Sequence, residues 1–430
     1  MFKRRMFAAV LIAATLFGTA ASARAQTVTT INFFHTIPAE TEAFVKSDLL
    51  PVFEKANPDC KVNLRNLGVE GAEGTALINS GLAAKDNNSP SLAWLASSGT
   101  GAFVKAGVLA DVQKFFDDNA TIKSNVFESL LNLSSYDGKI RSIPMTTNNV
   151  AVYVNVSAFK DAGVAIPSQD PEKTWTWDEF RTASKKVADK GKMKGYLFPV
   201  GGGWEGWLAH GWLAQAGGYF MQPDGTIGFN KPEAVEAYKF LKSMIDDKST
   251  AYSEPGKGWD PAPFLSQKVA MTINGPWNLS ALLKIKDFEW TAVPLPRGKS
   301  VGAPLGGNQL FVFALNAAKD ACAFKFAAYV LSDDFQIKFT IKDGSLPVTK
   351  SATASQVYAD FAKNTPALAG WANQTKFGVA RASIPAFDSV SGDGSPYSKA
   401  WDAIFIQGAD IQSSMDKAAK DAQDLIDQTK

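Results

Sequence analysis

Residues 136–155, YDGKIRSIPMTTNNVAVYVN, constrain the fold of this 430-residue chain more than any other stretch. Asp137-Gly138 marks a turn, and Pro144 marks the end of a short extended run, because proline has no N–H for a β-ladder. Residues 150–156 are rich in valine, which favours a strand. The stretch therefore predicts a point where the chain leaves one sheet and enters another.

Before this crossover, strands and helices alternate. Residues 27–34, 61–67 and 90–96 have the composition of strands, and residues 39–56 and 73–84 have apolar positions at helical spacing. This rhythm predicts a right-handed, mostly parallel α/β sheet.

A second set of elements follows the crossover. Thr176 and Glu179 have capping-box spacing at the start of a helix. An apolar stripe that begins at about residue 411 predicts an amphipathic helix that docks on the second lobe. The helix that follows Thr176 is expected at 177–190. The other expected elements are helices at 205–216, 231–247 and 276–285 and strands at 268–273 and 306–313.

Residues 1–25 have the pattern of a secretory signal peptide. A basic segment at 3–5 precedes an apolar segment at 6–21 and an A-x-A sequence at 23–25, which predicts cleavage before Gln26. The residue directly after the cleavage site is Gln26 and not cysteine, so we expect a periplasmic protein without a lipid anchor. The leader has four basic residues and no acid, so the net charge changes from +2 to −2 on cleavage. Such a surface argues against nucleic-acid binding.

Several motifs resemble those of one protein family. They are YDGKxxxIP at 136–144, YVNxxxFxxAG at 153–163, TWxEF at 176–180, WLAQAGGYF at 212–220, VAMTINGPW at 269–277 and GSLPV at 344–348. In this order they resemble the extracellular solute-binding proteins of carbohydrate ABC importers, the maltose-binding-protein superfamily. The resemblance implies a two-lobe α/β (Venus flytrap) fold, in which each lobe is a mostly parallel sheet flanked by helices and the lobes are joined by hinge crossovers.

The resemblance also implies lobe boundaries and a function. We expect an N-terminal lobe of residues 26–141 plus 298–343 and a C-terminal lobe of 142–297 plus 344–430. The implied function is that of a monomeric receptor without enzymatic activity or cofactor. It would capture a mono- or oligosaccharide in the cleft and deliver it to the inner-membrane permease, which works with a cytoplasmic ATPase.

Candidate ligand-binding residues come from the rule that ligands bind beyond the carboxyl ends of strands. The second lobe adds tryptophans in glycine-rich surroundings, which the resemblance places in the sugar cleft. Arg381 is the one cation in the apolar sequence stretch FGVARASIP, and it would bind an acidic ligand or pair with a nearby acid. The complete set of candidates is His35, Glu70, Glu73, Ser97, Ser98, Asn148, Trp204, Trp207, Trp277, Gly307, Asn308 and Arg381.

For several candidates a structural role stays open. His35 could be a core histidine, and Glu70 and Glu73 could be solvated residues at a helix start, where acids are favoured. His210 is expected to pack in a helix. Core packing is the expected role of five other tryptophans: Trp94, Trp175, Trp177, Trp212 and Trp290.

Two rival functions remain. The glycerol-3-phosphate-binding branch shares the opening pattern of this chain, and polyols or acidic sugar derivatives belong to the same alternative. That branch has a tyrosine before Leu-Pro where this chain has Ser345, which favours a neutral sugar. A secreted glycoside hydrolase or lyase would need two carboxylates about 5–9 Å apart, and no recognisable catalytic motif supplies them.

Cys60 and Cys322 are the two cysteines of the chain. In an oxidising compartment they could form one long-range disulfide or remain two separate buried thiols. The sequence leaves this choice open, as it leaves open which sugar is bound.

Overall fold

The computed structural model describes residues 28–68, 71–381, 384 and 386–428. The signal-peptide prediction and Glu70 lie outside these residues. The strands are β1 (Thr29–His35), β2 (Cys60–Asn66), β3 (Leu92–Ala96), β4 (Ser135–Tyr136), β5 (Lys139–Ile140), β6 (Ile143–Pro144), β7 (Ala151–Asn155), β8 (Lys194–Phe198), β9 (Thr250–Tyr252), β10 (Val269–Asn274), β11 (Trp290–Val293), β12 (Ala303–Leu305), β13 (Asn308–Val312) and β14 (Gly378–Ala380).

Helices connect and cover these strands. The α-helices are α1 (Ala39–Phe44), α2 (Leu50–Ala56), α3 (Gly71–Ala83), α4 (Thr100–Ala106), α5 (Val112–Asp118), α6 (Ala120–Asn125), α7 (Glu128–Leu133), α8 (Val156–Ala162), α9 (Trp177–Ala188), α10 (Trp204–Gln215), α11 (Pro232–Asp246), α12 (Ala262–Leu265), α13 (Leu279–Leu282), α14 (Ala317–Val330), α15 (Asp333–Asp343), α16 (Lys350–Thr353), α17 (Gln356–Asn364), α18 (Ala369–Ala372), α19 (Phe387–Ser391), α20 (Pro396–Phe405) and α21 (Ile411–Asp427). A π-helical segment, Val45–Leu49, joins α1 to α2, and short 3-10 helices are Ser97–Gly99, Pro276–Asn278, Pro366–Leu368 and Thr375–Phe377.

The first sheet has the strand order β2-β1-β3-β13-β6. Strands β1, β2 and β3 run parallel, and β13 enters antiparallel beside β3 from far along the chain. Alternate residues of β3 enter different cores, Leu92 and Trp94 on one face and Ala93 and Leu95 on the other. The sheet is therefore covered on both faces, as its nearly continuous apolar strands predict.

The second sheet has the order β11-β7-β10-β8-β9, in which β8, β9 and β10 are parallel and β7 is antiparallel to β10. Val152 and Val154 of β7 join one core, and Ala151 and Tyr153 join the core on the opposite face. The crossover prediction is confirmed, because β6 belongs to the first sheet and β7 to the second. The mixed α/β, two-lobe fold is thus as expected.

Local predictions agree well with the structure. Thr176 and Glu179 form the capping box at the start of α9. Helix α21 buries Met415, Ala418 and Ala422 in the core of the second lobe, as the apolar stripe in its sequence predicts. Within the described residues, no helix has the length and hydropathy needed to cross a membrane.

Two local expectations differ from the structure. Residues 276–285 form a 3-10 turn followed by the single-turn helix α13 instead of one continuous helix. Strand β9 was not expected, because three residues are too few to show a period of two. The predicted lobe boundaries remain a prediction. Strand β12, inside the segment 298–343, pairs with β14 and packs on α10.

Cys60 and Cys322 form a disulfide that joins β2 to α14, with their Cα atoms 5.6 Å apart. The two positions are 262 residues apart in the chain. The bond therefore links the first strands of the first lobe to the segment that returns to it after the second lobe.

Candidate functional site

The carboxyl ends of β8, β9 and β10 lie at one edge of the second sheet, because these strands are parallel. Three segments follow them: the glycine turn 201–203 that leads into α10, the turn 253–259, and the segment 275–278. The crossover before β7 reaches the same edge, since Ala151 is the partner of Asn274. Ligands of open α/β sheets bind at such an edge.

Three of the predicted tryptophans meet at this edge. The ring centroids of Trp204 and Trp207 are 5.1 Å apart, and Trp277 lies 6.0 Å from Trp204 and 6.1 Å from Trp207. Trp207 and Trp277 are inclined by only 28°, whereas Trp204 stands at 85° to Trp277. The i, i+3 spacing on α10 places Trp204 and Trp207 on one helix face. We call these three residues the indole cluster.

The sequence Asn274-Gly275-Pro276-Trp277 determines where the third indole lies. The Trp277 ring lies directly over Gly275, where a Cβ atom would collide with it. The hydroxyl of buried Tyr153 donates to the Gly275 carbonyl, and Trp371 donates through Nε1 to the Asn274 carbonyl at 3.0 Å. The backbone beneath Trp277 is thus fixed by two aromatic donors from the lobe interior.

The indole cluster has hydrogen-bonding capacity that the described residues leave unused. The Nε1 atoms of Trp204 and Trp207 are buried and have no hydrogen-bond partner among the described residues. A buried donor without a partner is costly, typically by 1–3 kcal/mol. A ligand oxygen that reached either nitrogen would satisfy its N–H group.

Arg381 lies beside the cluster because it follows β14, which pairs with β12 next to α10. Its guanidinium carbon is 5.5 Å from the centroid of the Trp207 ring, within the range of a cation–π interaction. Burial and the nearby Arg381 charge lower the pKa of His210 to about 3. His210 stacks on Phe220 at 4.7 Å, so the expectation of a packing role fits its surroundings.

The crossovers between the lobes contact the cluster. A Cβ atom on Gly306 would lie 3.0 Å from the Trp207 ring. Asn148 and Gly306 exchange both backbone hydrogen bonds, at 3.0 and 2.8 Å. The side-chain Oδ1 of Asn148 is buried without a partner among the described residues. Asn148 and Trp207 therefore converge at the junction of the lobes.

Gly307 and Asn308 continue this junction. Gly307 has a φ of +148°, and a Cβ atom there would collide with the carbonyl oxygen of Thr146. Asn308 begins β13, and its backbone N–H donates to the Thr146 hydroxyl at 3.1 Å. The glycine allows two chain segments to approach closely at the point where both pass between lobes.

The first lobe contributes small polar groups. Ser97 and Ser98 are buried in the 3-10 turn that follows β3, and Thr100 donates to the Ser97 carbonyl at 2.7 Å. Helix α19 of the second lobe approaches this turn and α3. The two lobes are thus in contact close to the predicted serines.

His35 is completely buried at the end of β1. Its Nδ1 accepts from the N–H of Ile37 at 3.2 Å, and its ring packs edge-on against Phe33. Burial lowers its pKa to about 4. His35 is therefore a neutral histidine packed in the first lobe. A ligand-binding role for it stays a prediction.

The predicted acids are less informative. Glu70 lies outside the described residues, and Glu73 is exposed in the first turn of α3. The structure therefore brings together Asn148, Trp204, Trp207, Trp277, Gly307, Asn308 and Arg381, while Ser97 and Ser98 lie on the facing lobe.

Sequence reasoning missed Glu205, which lies between two cluster tryptophans and points into the lobe interior. Its Oε1 accepts from the Ser398 hydroxyl at 2.6 Å and from the Gly203 N–H at 3.2 Å. Burial raises the pKa of this carboxyl. Glutamate is almost never fully buried unless it is paired, so the sequence gives no signal that Glu205 points into the lobe interior.

Asp343 was also missed. It is buried at the end of α15, and Ser345 donates to its carboxylate. Burial raises its pKa to about 6. Gly344 is packed against Pro276, which places this pair close to the segment that carries Trp277.

A metal site finds little support. In the part of the chain that the structure describes, the one group of potential metal ligands is Asp59, Cys60 and Cys322, and both sulfurs are in the disulfide.

Comparison with known proteins gives several relatives. The sn-glycerol-3-phosphate-binding periplasmic protein UgpB of Salmonella typhimurium is 27% identical over 364 residues, covering 78% of this chain and 79% of that protein. The protein of the same name from Escherichia coli O1:K1 is 27% identical over 359 residues, covering 78% of each.

Solved structures agree in fold. The GacH receptor of Streptomyces glaucescens superposes with a TM-score of 0.79 at 21% identity, over 94% of this chain and 100% of that one. UgpB of Mycobacterium tuberculosis in complex with glycerophosphocholine gives 0.82 at 20% identity, over 93% and 99%. Maltose-bound MalE3 of T. maritima gives 0.78 at 20% identity, over 92% and 100%.

The family model for bacterial extracellular solute-binding proteins matches residues 50–404, which is most of the chain and includes the indole cluster. The motifs, the two sheets and this match agree, and the chain is a member of the bacterial extracellular solute-binding protein family.

Proposed function

We propose that this protein captures a carbohydrate between its lobes and delivers it to the permease of an ABC importer. The observation that carries the proposal is the indole cluster at the lobe junction, with two buried N–H donors left unused among the described residues. The fold and family support a receptor, and the cluster supports the ligand class.

The cluster suits the surface of a sugar ring. A pyranose has an apolar face of C–H groups, which packs on a flat indole, and a rim of hydroxyls, which accept from indole N–H groups. Trp277 is partly exposed and Trp207 is buried beside it, so the cluster offers both a stacking surface and donors. The Asn148 amide oxygen would accept from a ligand hydroxyl.

Binding to both lobes gives closure its direction. The cluster is part of the second lobe, and Ser97 and Ser98 belong to the first. A ligand that touches both binds the closed arrangement more tightly than the open one, so it shifts the population towards closure. The permease would then recognise the two lobe surfaces in their closed relation.

Relatives support this ligand class by analogy. The GacH receptor was solved with acarbose, and MalE3 with maltose. These neighbours are similar to this chain in fold, and we propose a ligand of the same chemical class here.

A second candidate is a glycerol phosphate, a polyol or an acidic sugar derivative. Arg381 favours it, because a guanidinium beside the cluster can bind a phosphate or carboxylate in bidentate fashion. The names of the UgpB relatives point the same way. Ser345, where that branch has a tyrosine, donates its hydroxyl to Asp343, so in this structure its hydroxyl is directed to a protein group.

A ligand screen separates the candidates. The mature protein, from Gln26 on, would be tested by thermal shift with mono- and disaccharides, polyols, sugar acids and sn-glycerol 3-phosphate. A ligand at 100 times its Kd stabilises by about 2.7 kcal/mol. Stabilisation by neutral sugars that is lost in Trp277→Ala supports the proposal. Stabilisation only by phosphates, lost in Arg381→Ala, would establish the second candidate.

We also propose that the protein is a receptor without enzymatic activity, exported to the periplasm as a monomer without a lipid anchor. Incubation with oligosaccharides should give no products. Mass spectrometry of the periplasmic protein should show an unmodified chain that begins at Gln26, and light scattering should show one copy.

A further inference from the structure

Trp259 is an exposed tryptophan beside the indole cluster. Its residue is 51% exposed, whereas the cluster residue Trp207 is 7% exposed. It lies in the turn 253–259, after β9, at the same sheet edge as the segments that carry the cluster. This position would be the rim of the proposed cleft, on the side of β9.

Hydrogen bonds hold this exposed residue in place. Its indole Nε1 donates to the Gly256 carbonyl at 3.2 Å, which folds the ring back over its own turn. The side chain of Asn274 donates to the Trp259 carbonyl at 2.6 Å. Asn274 also precedes the turn that carries Trp277, so one residue connects the rim to the cluster.

The preceding residue touches the cluster directly. A Cβ atom on Gly258 would lie 2.8 Å from Cδ1 of Trp204. Since consecutive Cα atoms are 3.8 Å apart, the Cα of Trp259 is within about 8 Å of the Trp204 ring. A ligand that extends past Trp204 towards solvent would reach Trp259.

The surroundings of Trp259 suit an uncharged ligand. Lys257 forms an ion pair with Glu254 at 2.7 Å, and Asp260 follows in the chain and accepts from the N–H of Ala262. When an apolar surface covers this exposed indole, apolar area is removed from water, which gives a favourable free energy. A second sugar ring has such a surface.

We propose that Trp259 forms an outer stacking position, so that the cleft binds a carbohydrate of at least two sugar units. The inner unit contacts the indole cluster and the outer unit contacts Trp259. This inference rests on the proposed function, and it adds the length of the ligand and the residue that selects it.

The test measures affinity against ligand length. Mature wild-type protein and Trp259→Ala would be titrated calorimetrically with two matched series: glucose, maltose and maltotriose, and xylose, xylobiose and xylotriose. In the series that binds, Trp259→Ala should weaken the di- and trisaccharide by about tenfold and change the monosaccharide by less than about twofold. Tyr219→Ala is the matched control, because Tyr219 is 49% exposed elsewhere on the second lobe.

The outcomes distinguish the two proposals. An equal loss for all lengths, no loss at all, or a wild type that binds the monosaccharide as tightly as the longer sugars would overturn the outer position and leave the carbohydrate receptor intact. A wild type that binds neither series but binds sn-glycerol 3-phosphate would overturn both proposals.

Discussion

The edge of the second sheet carries three packed indoles, whereas the turn after β3 in the first lobe carries two buried serines. Indoles supply a large apolar contact area, whereas serine hydroxyls supply directional hydrogen bonds and little contact area. Under the proposed function, this difference gives the two lobes unequal tasks in ligand binding. The second lobe should hold most of the ligand in the open state, and the first should add hydrogen bonds on closure.

The lobes also differ in how they are held together. The first lobe has the Cys60–Cys322 disulfide across a separation of 262 residues. The second lobe has an aromatic core in which Trp401 contacts Phe198, Tyr238 and Phe405. A covalent link restricts the unfolded chain, whereas aromatic packing stabilises the folded state, so the two lobes should respond differently to reduction.

The largest expected effect is removal of the disulfide. Cys60→Ala combined with Cys322→Ala should lower the unfolding free energy by about 4 kcal/mol, because the bond closes a very long loop. Hydrogen exchange should show the loss in the first lobe and little change in the second. Dithiothreitol should reproduce it in the wild type and have no effect on the double variant. Equal loss in both lobes would contradict the comparison.

The next effect is acid destabilisation through one buried histidine in each lobe. The folded-state pKa values of His35 and His210 are lowered to about 4 and about 3. Between about pH 4 and 6.5 the unfolded chain therefore binds more protons, and the unfolding free energy falls as pH falls, by up to about 3 kcal/mol per histidine. Urea unfolding of His35→Gln and His210→Gln across this range should show a weaker pH dependence than the wild type.

Asp343 serves as the control of opposite sign. Its pKa is raised to about 6, so its contribution to stability decreases as pH rises from about 4 to 6. Asp343→Asn should therefore steepen the acid destabilisation.

A histidine variant with the pH profile of the wild type would show that its imidazole is not buried and neutral as described.

Ligand affinity compares the two cleft edges directly. Trp277→Ala should weaken binding of the ligand found in the thermal-shift screen by about 2 kcal/mol, roughly 30-fold. Ser98→Ala should cost about 1 kcal/mol, the usual contribution of one hydrogen bond. Trp290 lies outside the proposed cleft, so Trp290→Ala is the control that shows the effect of losing an indole that does not contact ligand. A larger loss from Ser98→Ala than from Trp277→Ala would reverse the assignment of tasks.

The smallest effect concerns a contact between the lobes. Lys284, after α13, pairs at 2.8 Å with Glu40 in α1, and both side chains are mostly exposed. Glu40→Gln should change ligand affinity by less than about fivefold at low salt and not at all at high salt, because exposed ion pairs are weak and screened. A persistent change in 0.5 M salt would indicate that the pair controls closure more strongly than its exposure suggests.

Local sequence determined much of this protein. The strand and helix order, the crossover at β6 and β7, and the capping box at Thr176 follow from periodicity, proline and capping residues within a few positions of each other. The motifs were enough to identify the family. These features depend on neighbours in the chain, which a sequence shows directly.

Only the tertiary structure decided which distant residues meet. It paired Cys60 with Cys322, assembled Trp204, Trp207 and Trp277 into one cluster, and turned Glu205 into the lobe interior. Strand β9, and with it the rim position of Trp259, depends on pairing with β8 and has no periodicity of its own. Contacts between residues far apart in the chain depend on sheet order and chain crossings, and local patterns do not encode those distances.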